Sequence, residues 1–330
     1  MKPISFYKIQ SNFKSHILKS GKWIDGQSMS LLEERLKKYL NVKYLILTNS
    51  GTSALLAAYW VLKDKYHTLS VDPYTFPATY QPARILNYKI NYVRTILHQK
   101  ESVAKDSLQV VTHLFGQPNN LILNSGEDYI EDACQSFGAE ISGKKVGTFG
   151  KIGCFSFYPT KSFHTCGHGG AVVTNDENYY IEMKKLIECG RLGGKMTESP
   201  GLNLRMDEIK AEFLLSEFEN YEEKIEIQRN IAKEFIDVIH SNQPFLKEEK
   251  NQRHIYSIFN LLVERREEFR EFLSKKLIDT IIYYGDEILP ESEKGKYTDL
   301  TSKIVAIPCR WNLTRKEINR IKIALKEWFR

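Results

Sequence analysis

A short apolar strand that runs directly into a polar, glycine-bearing turn and then a helix constrains this chain most. Tyr44 to Thr48 is such a strand, Asn49-Ser50-Gly51-Thr52 is the turn, and Ser53 to about Val61 is the helix. Strand, glycine turn and helix together make an α/β unit. Further short strands follow at Thr68–Val71, Gln109–His113, Tyr129–Ile130, Cys154–Tyr158 and Gly170–Thr174. Polar or glycine-containing turns follow their C-terminal ends, which is where ligand sites collect in α/β sheets.

The helical segments divide the chain. Met29, Leu32, Leu36 and Leu40 stand at helical spacing, with Ser28 or Ser30 as the expected cap. From Arg205 to about Ile239 there is no glycine or proline. Leu214, Phe218, Tyr221, Ile225, Ala232, Phe235 and Ile239 share one face there, interrupted by Gln228. This spacing predicts one long helix with a buried stripe. It would carry the chain from a large domain, residues 1–239, into a smaller α+β domain, residues 240–330. In the latter, His254–Leu262 and Ile304–Ile307 read as strands, and Arg265–Lys276 and Thr314–Trp328 as helices. A length of 330 residues accommodates both domains.

Composition excludes several function classes. A net charge of +6, from 47 basic and 41 acidic side chains, is too mild for a nucleic-acid binder. The basic C-terminal residues alternate with apolar ones, as on a solvated helix face. Five cysteines, an odd number without a C-x-x-C pair, favour a reducing compartment. No run approaches 18 apolar residues, and MKPISFYKIQSNF lacks the apolar core of a secretory signal. The expected location is the cytoplasm, with no membrane contact.

Four segments carry the chemistry: TNSGTSAL at 48–55, EDACQSFGAE at 131–140, FSFYPTK at 155–161 and GLNLRM at 201–206. In this order and spacing the chain resembles the DegT/DnrJ/EryC1/StrS family of sugar-nucleotide aminotransferases. SGKWIDG at 20–26, HIYSIF at 254–259 and the IPC–WNLT region at 307–314 extend the resemblance over most of the chain. The resemblance implies the fold type I architecture of pyridoxal 5'-phosphate enzymes, a large mixed-sheet α/β domain with a smaller C-terminal α+β domain. It also implies a homodimer with shared active sites. The substrates implied are a nucleoside-diphosphate keto-sugar and an amino donor, L-glutamate.

Residue by residue, Lys161 is the amine that condenses with the cofactor aldehyde and then serves as base and acid. Asp132 matches the carboxylate that keeps the pyridine nitrogen protonated. Glu131, its neighbour, faces the core or a backbone group. Gln135 is expected at the phenolic oxygen or phosphate region. Gly51 and Thr52 open a helix whose free N–H groups and positive end seat a phosphate. Ser156 matches a further phosphate ligand, and Asn203 matches an asparagine reaching the phosphate from the partner subunit. Phe76 aligns with an aromatic that covers the pyridine ring, with Tyr74 a weaker candidate. His113 supports the sheet. His164 and His168 flank the lysine loop without a convincing metal-ligand set.

The chain departs from the family pattern in places. The segments after Phe76 and between Gln117 and Tyr129 are short, and His168 stands where the family usually has glutamate. A related dehydratase branch carries histidine in place of the lysine, and this chain keeps Lys161. Two alternatives stay open from sequence: a lyase, aldolase or racemase on the same fold, or a cofactor-binding homologue without turnover.

Overall fold

The computed structural model describes residues 2–9, 13–95, 106–123, 128–239 and 247–330. Its centre is one seven-stranded sheet built from β1 (Tyr44–Thr48), β2 (Thr68–Val71), β3 (Lys89–Tyr92), β4 (Leu108–Thr112), β5 (Tyr129–Asp132), β6 (Ile152–Ser156) and β7 (Gly170–Thr174). The spatial order is β1-β7-β6-β5-β4-β2-β3. Strand β7 runs antiparallel to both its neighbours, and every other pairing in the sheet is parallel. The C-terminal ends of β1, β2, β4, β5 and β6 therefore reach the same edge of the sheet, and the turns that follow them share it.

Side chains alternate across the strands and feed two cores. Leu45, Leu47, Tyr129 and Phe155 face the first core, with Leu32, Leu36 and Leu40 of α1 (Gln27–Leu40). Ile46, Val110, Ile130 and Cys154 face the second core, with Ala54, Ala57 and Ala58 of α2 (Gly51–Trp60) and Met183 and Leu186 of α3 (Glu177–Ile187). The mixed sheet with helices on both faces is the fold class expected from sequence.

The stripe between 205 and 239 lies on two helices rather than one, α4 (Glu208–Phe218) and α5 (Tyr221–Ile236). Asn220, at φ −119° and ψ 20°, leaves the helical backbone between them. The stripe survives because its halves pack on different cores: Leu214, Tyr221 and Ile225 on the first, Ile231, Ala232 and Phe235 on a third. Gln228 is buried, and its amide donates to the carbonyls of Ile255 (3.3 Å) and Tyr256 (2.6 Å). A polar residue fits the stripe there because it meets unpaired backbone oxygens rather than apolar side chains.

The third core lies between the antiparallel pair β8 (Phe259–Leu262) and β9 (Ile304–Ile307), α6 (Arg266–Lys275) and α7 (Arg315–Trp328). Ile4 joins this core, tied by bonds from Ile4 N to Leu277 O (2.7 Å) and from Asp279 N to Ile4 O (3.0 Å). Thr314 caps α7 through a reciprocal box with Glu317. Arg315 and Lys322 pair with Glu234, and Arg320 donates to the carbonyl of Lys2, so part of the basic C-terminal face anchors its neighbours. The expected start of the small domain, at 240–246, lies outside the described residues.

Two local expectations change. Residues 254–258 are not strand: the chain turns at Tyr256 (φ 48°) and bonds to the 115–116 turn, Ile255 N to Gly116 O (3.0 Å) and Ile258 N to Phe115 O (3.3 Å). Neither Ser28 nor Ser30 caps α1. Gly26 is the cap residue, and the buried Glu208 carboxylate of α4 accepts the N–H groups of Gly26, Ser28 and Met29. A carboxylate from a distant helix replaces the local hydroxyl and complements the helix dipole.

The most concentrated polar contact in the sheet is at Glu131. Its side chain is fully buried, and its two oxygens accept the N–H groups of Gly147 (2.6 Å), Phe149 and Gly150. His113 completes the set. Its Nδ1 accepts the N–H of Asn119 (2.9 Å), so Nε2 carries the proton and donates to Glu131 (3.0 Å). Glu131→Ala would leave three backbone donors and an imidazole N–H without partners. It should cost about 3–5 kcal/mol of stability, measured by urea unfolding; a loss below about 1 kcal/mol would contradict this role.

Candidate active site

A cavity of about 460 Å³ opens at the C-terminal edge of the sheet. Gly51, Thr52, Phe76, Asp132, Gln135, Ser156 and Lys161 all line it. Seven residues from four segments of sequence thus meet in one place. Asn203 does not line the cavity of its own chain. It is exposed, and its segment pairs with the sheet edge through Arg205 opposite Thr48.

Each position has a local cause. Ser50 caps α2 by accepting the N–H of Ser53 (3.1 Å), and Ala54 N bonds Ser50 O (3.2 Å). The N–H groups of Gly51 and Thr52, at the first two positions of α2, precede the first intrahelical donor. A Cβ on Gly51 would stand 2.7 Å from the Ser156 Cβ, so only glycine lets this helix end approach β6 so closely. The positive end of α2 and the Ser156 hydroxyl together form an anion seat.

Alternation on β5 sends Asp132 to the face opposite Glu131. Asp132 is 4% exposed. Its Oδ1 accepts the N–H of Cys134 (3.1 Å), and Oδ2 accepts the hydroxyl of Thr79 (2.7 Å). Thr75 in turn bonds Thr79 (3.0 Å). These donors orient the carboxylate. Phe76 follows the turn fixed by Asp72, which accepts from Tyr74 N (2.8 Å), Thr95 N (2.6 Å) and Tyr297 OH (3.1 Å). The Phe76 ring is 53% exposed at the cavity, where an ordinary core phenylalanine would be covered. Tyr74 is buried away from the cavity lining, so the weaker of the two aromatic candidates is a packing residue.

Lys161 sits in the turn after β6, with its N–H on Tyr158 O (2.9 Å). Burial lowers its pKa from the ordinary lysine value, opposed by the nearby Cys134 and Asp132. A neutral amine is the form that attacks a carbonyl or takes a proton. His164 Nδ1 bonds the Lys161 carbonyl (3.1 Å) and so helps hold the turn. His168 is exposed on the rim against Tyr158, ring centroids 5.2 Å apart. Among the described residues no group of three or more His, Cys, Asp or Glu is placed to hold a metal.

Gln135 lies on a turn, not on a continuing helix. Its Oε1 accepts Phe115 N (3.0 Å) and its Nε2 donates to Tyr284 OH (2.7 Å). One amide N–H remains. Sequence analysis did not single out Tyr7, Thr79, Tyr283 or Tyr284, all of which line the cavity. Thr79 carries a faint signal as the end of DPYTFPAT. The tyrosines arrive from the N-terminal segment and from beyond β8, and no local pattern marks them.

The residues fit a pyridine ring that bears a phosphate and an aldehyde. The cavity offers an anion seat at one end, a carboxylate held for a cationic nitrogen, an amine of lowered basicity, and an aromatic face. Two residues that line it, Thr112 and Ser257, carry buried hydroxyl oxygens without a partner among the described residues.

The profile of the DegT/DnrJ/EryC1/StrS aminotransferase family matches residues 8–326. The chain belongs to this family. Its enzymes use pyridoxal 5'-phosphate. Among curated relatives, the chain is 28% identical over 307 residues to UDP-2-acetamido-2-deoxy-3-oxo-D-glucuronate aminotransferase of Pseudomonas aeruginosa, covering 87% of this chain and 84% of the relative. Among solved structures, a DegT DnrJ EryC1 StrS aminotransferase from Brucella abortus superposes with a TM-score of 0.85 at 21% identity, over 95% of this chain and 93% of that one. NtdA from Bacillus subtilis, determined with bound cofactor PMP, gives a TM-score of 0.81 at 20% identity, over 94% and 79%. No helix among the described residues is long and apolar enough to cross a membrane.

The lowered basicity of Lys161 has a direct test. In the cofactor-free protein, an amine-directed reagent should modify Lys161 at a lower pH than it modifies an ordinary lysine, read by peptide mass spectrometry across a pH series. Modification that begins only in the usual ammonium range would contradict the burial effect.

Proposed function

We propose that this aminotransferase moves an amino group from L-glutamate to a keto-sugar carried on a nucleoside diphosphate. The convergence of Lys161 and Asp132 in one cavity carries the reading, because it supplies an amine of lowered basicity and a fixed carboxylate at the same site. The nucleotide-linked 3-oxo sugar named for the Pseudomonas relative supports the substrate class. The cavity, about 460 Å³, is also lined by Tyr7, Tyr158 and Tyr283.

Pyridoxal 5'-phosphate, when bound, supplies an aldehyde that takes up and passes on an amino group, and an electron-withdrawing ring. The protein does the rest. Lys161 Nζ would hold the aldehyde end of the group and then act as the base and acid that moves a proton. Asp132, oriented by Thr79 and Cys134, holds the positive charge of the ring nitrogen. The N–H groups of Gly51 and Thr52 and the Ser156 hydroxyl would hold the phosphate. Phe76 covers the ring. Gln135 keeps one N–H for the ligand. The large lobe forms the floor, and the small lobe, whose core also takes in Ile4 and the second half of α5 from within the expected large domain of residues 1–239, brings Ser257, Tyr283 and Tyr284 to the wall. Asn203, exposed on its own chain, serves the cavity of a second copy in a homodimer.

The first test is spectroscopic. Protein loaded with pyridoxal 5'-phosphate should show the violet absorbance of a lysine-held cofactor and lose it when L-glutamate is added without sugar. Lys161→Ala should lack that band and lose at least about a thousandfold in turnover. A band that persists with glutamate and with other amino donors would remove the transfer reaction and leave a cofactor-binding homologue.

Site sharing has its own test. Lys161→Ala and Asn203→Ala chains, each impaired alone, should regain activity when mixed dimers form, because one cavity then receives Lys161 from one chain and Asn203 from the other. Absence of complementation in verified mixed dimers would place Asn203 outside the site.

A further inference from the structure

Thr112 is the last residue of β4 and stands opposite Asp132 in the register of β4 and β5. It is 4% exposed and lines the cavity, yet its hydroxyl has no hydrogen-bond partner among the described residues. A buried hydroxyl without a partner destabilises the protein that carries it. A valine has the same shape and suits a strand equally well. The oxygen itself is closed off, so the empty protein bears a cost at this position that a turn of the side chain about its Cα–Cβ bond, toward a group bound in the cavity, removes.

We propose that Thr112 is a cofactor-positioning residue whose hydroxyl donates to the phenolic oxygen of pyridoxal 5'-phosphate. The argument joins sheet order to the substitution pattern of the ring, and it rests on the reading of Asp132 as partner of the ring nitrogen. Strands β6, β5 and β4 lie side by side in that order. The phosphate seat lies on the β6 flank of Asp132, where Ser156 meets the start of α2. In the cofactor the phosphate arm and the phenolic oxygen flank opposite sides of the axis from ring nitrogen to aldehyde carbon. A ring with its nitrogen at β5 and its phosphate toward β6 turns its oxygen toward β4, where Thr112 waits. Gln135, the sequence-based candidate for this oxygen, has its carbonyl on Phe115 N and one N–H on Tyr284, which leaves the oxygen room for a second donor.

The test compares cofactor affinity, by absorbance or fluorescence titration, with the melting temperature of the cofactor-free protein. Thr112→Val should weaken pyridoxal 5'-phosphate binding about three- to tenfold, the effect of one such hydrogen bond. The cofactor-free variant should melt at the same or a higher temperature, since it loses only an unpaired hydroxyl. Thr112→Ser keeps the donor and should bind within about twofold of the parent. A purely structural threonine cannot produce opposite effects in the empty and loaded protein. Unchanged affinity in Thr112→Val would overturn the inference, as would a fall in affinity matched by a fall in cofactor-free stability. A parent protein that does not bind the cofactor at all would sink the reading of Asp132 and Lys161, and this inference with it.

Discussion

The buried carboxylate of Glu131 organises the centre of this protein. It gathers the N–H groups of the 147–150 turn and the imidazole of His113 at the end of β5, in the middle of the sheet. A carboxyl group so deeply buried is tolerated only when its oxygens have partners, and here they do. The same contacts fix the 147–150 turn that leads into β6, and hence the register that delivers Ser156 and Lys161. Alternation along the strand then turns the next residue, Asp132, to the opposite face. Adjacent carboxylates in sequence acquire a structural and a chemical role from the direction each side chain takes.

The cavity is assembled where strand ends meet, so its parts have different origins of rigidity. Asp132 is held by the hydroxyl of Thr79 and a backbone N–H. The Phe76 turn is held by Asp72 through Tyr74, Thr95 and Tyr297. The start of α2 lies against β6 because Gly51 has no side chain. The N-terminal segment, docked on the third core through Ile4, brings Tyr7 to the same wall as Tyr283. The site therefore depends on both lobes, and its polar groups are fixed before any ligand arrives, as preorganised electrostatics require.

Sequence patterns carried far where the signal was local. Strand bounds at Tyr44–Thr48, Thr68–Val71, Gly170–Thr174 and Ile304–Ile307 coincide with the structure, because short apolar runs between turn residues leave few alternatives. Patterns failed where a distant group intervened or the backbone left the helix within an apolar stripe. Glu208 took the capping role assigned to Ser28 or Ser30, Asn220 divided a stripe that looked continuous, and residues 254–258 left the extended state to bond the 115–116 turn. In the first and last cases the deciding partner lies far away in the chain, whereas Asn220 breaks the helix by its own backbone angles.

The sequence by itself determined the fold class and the chemical inventory: the α/β alternation, the lysine, the carboxylate pair, the glycine-led helix start and the family they signal. Tertiary structure decided which of these meet. It put Gly51, Thr52, Phe76, Asp132, Gln135, Ser156 and Lys161 in one cavity and kept Asn203 out of it. It gave Glu131 to the sheet and Asp132 to the site, lowered the basicity of Lys161, and left the Thr112 hydroxyl without a partner. The physical reason is range. Propensity and periodicity act over a few residues, whereas burial, hydrogen-bond satisfaction and the electrostatics they create depend on strands and turns that only the folded sheet brings together.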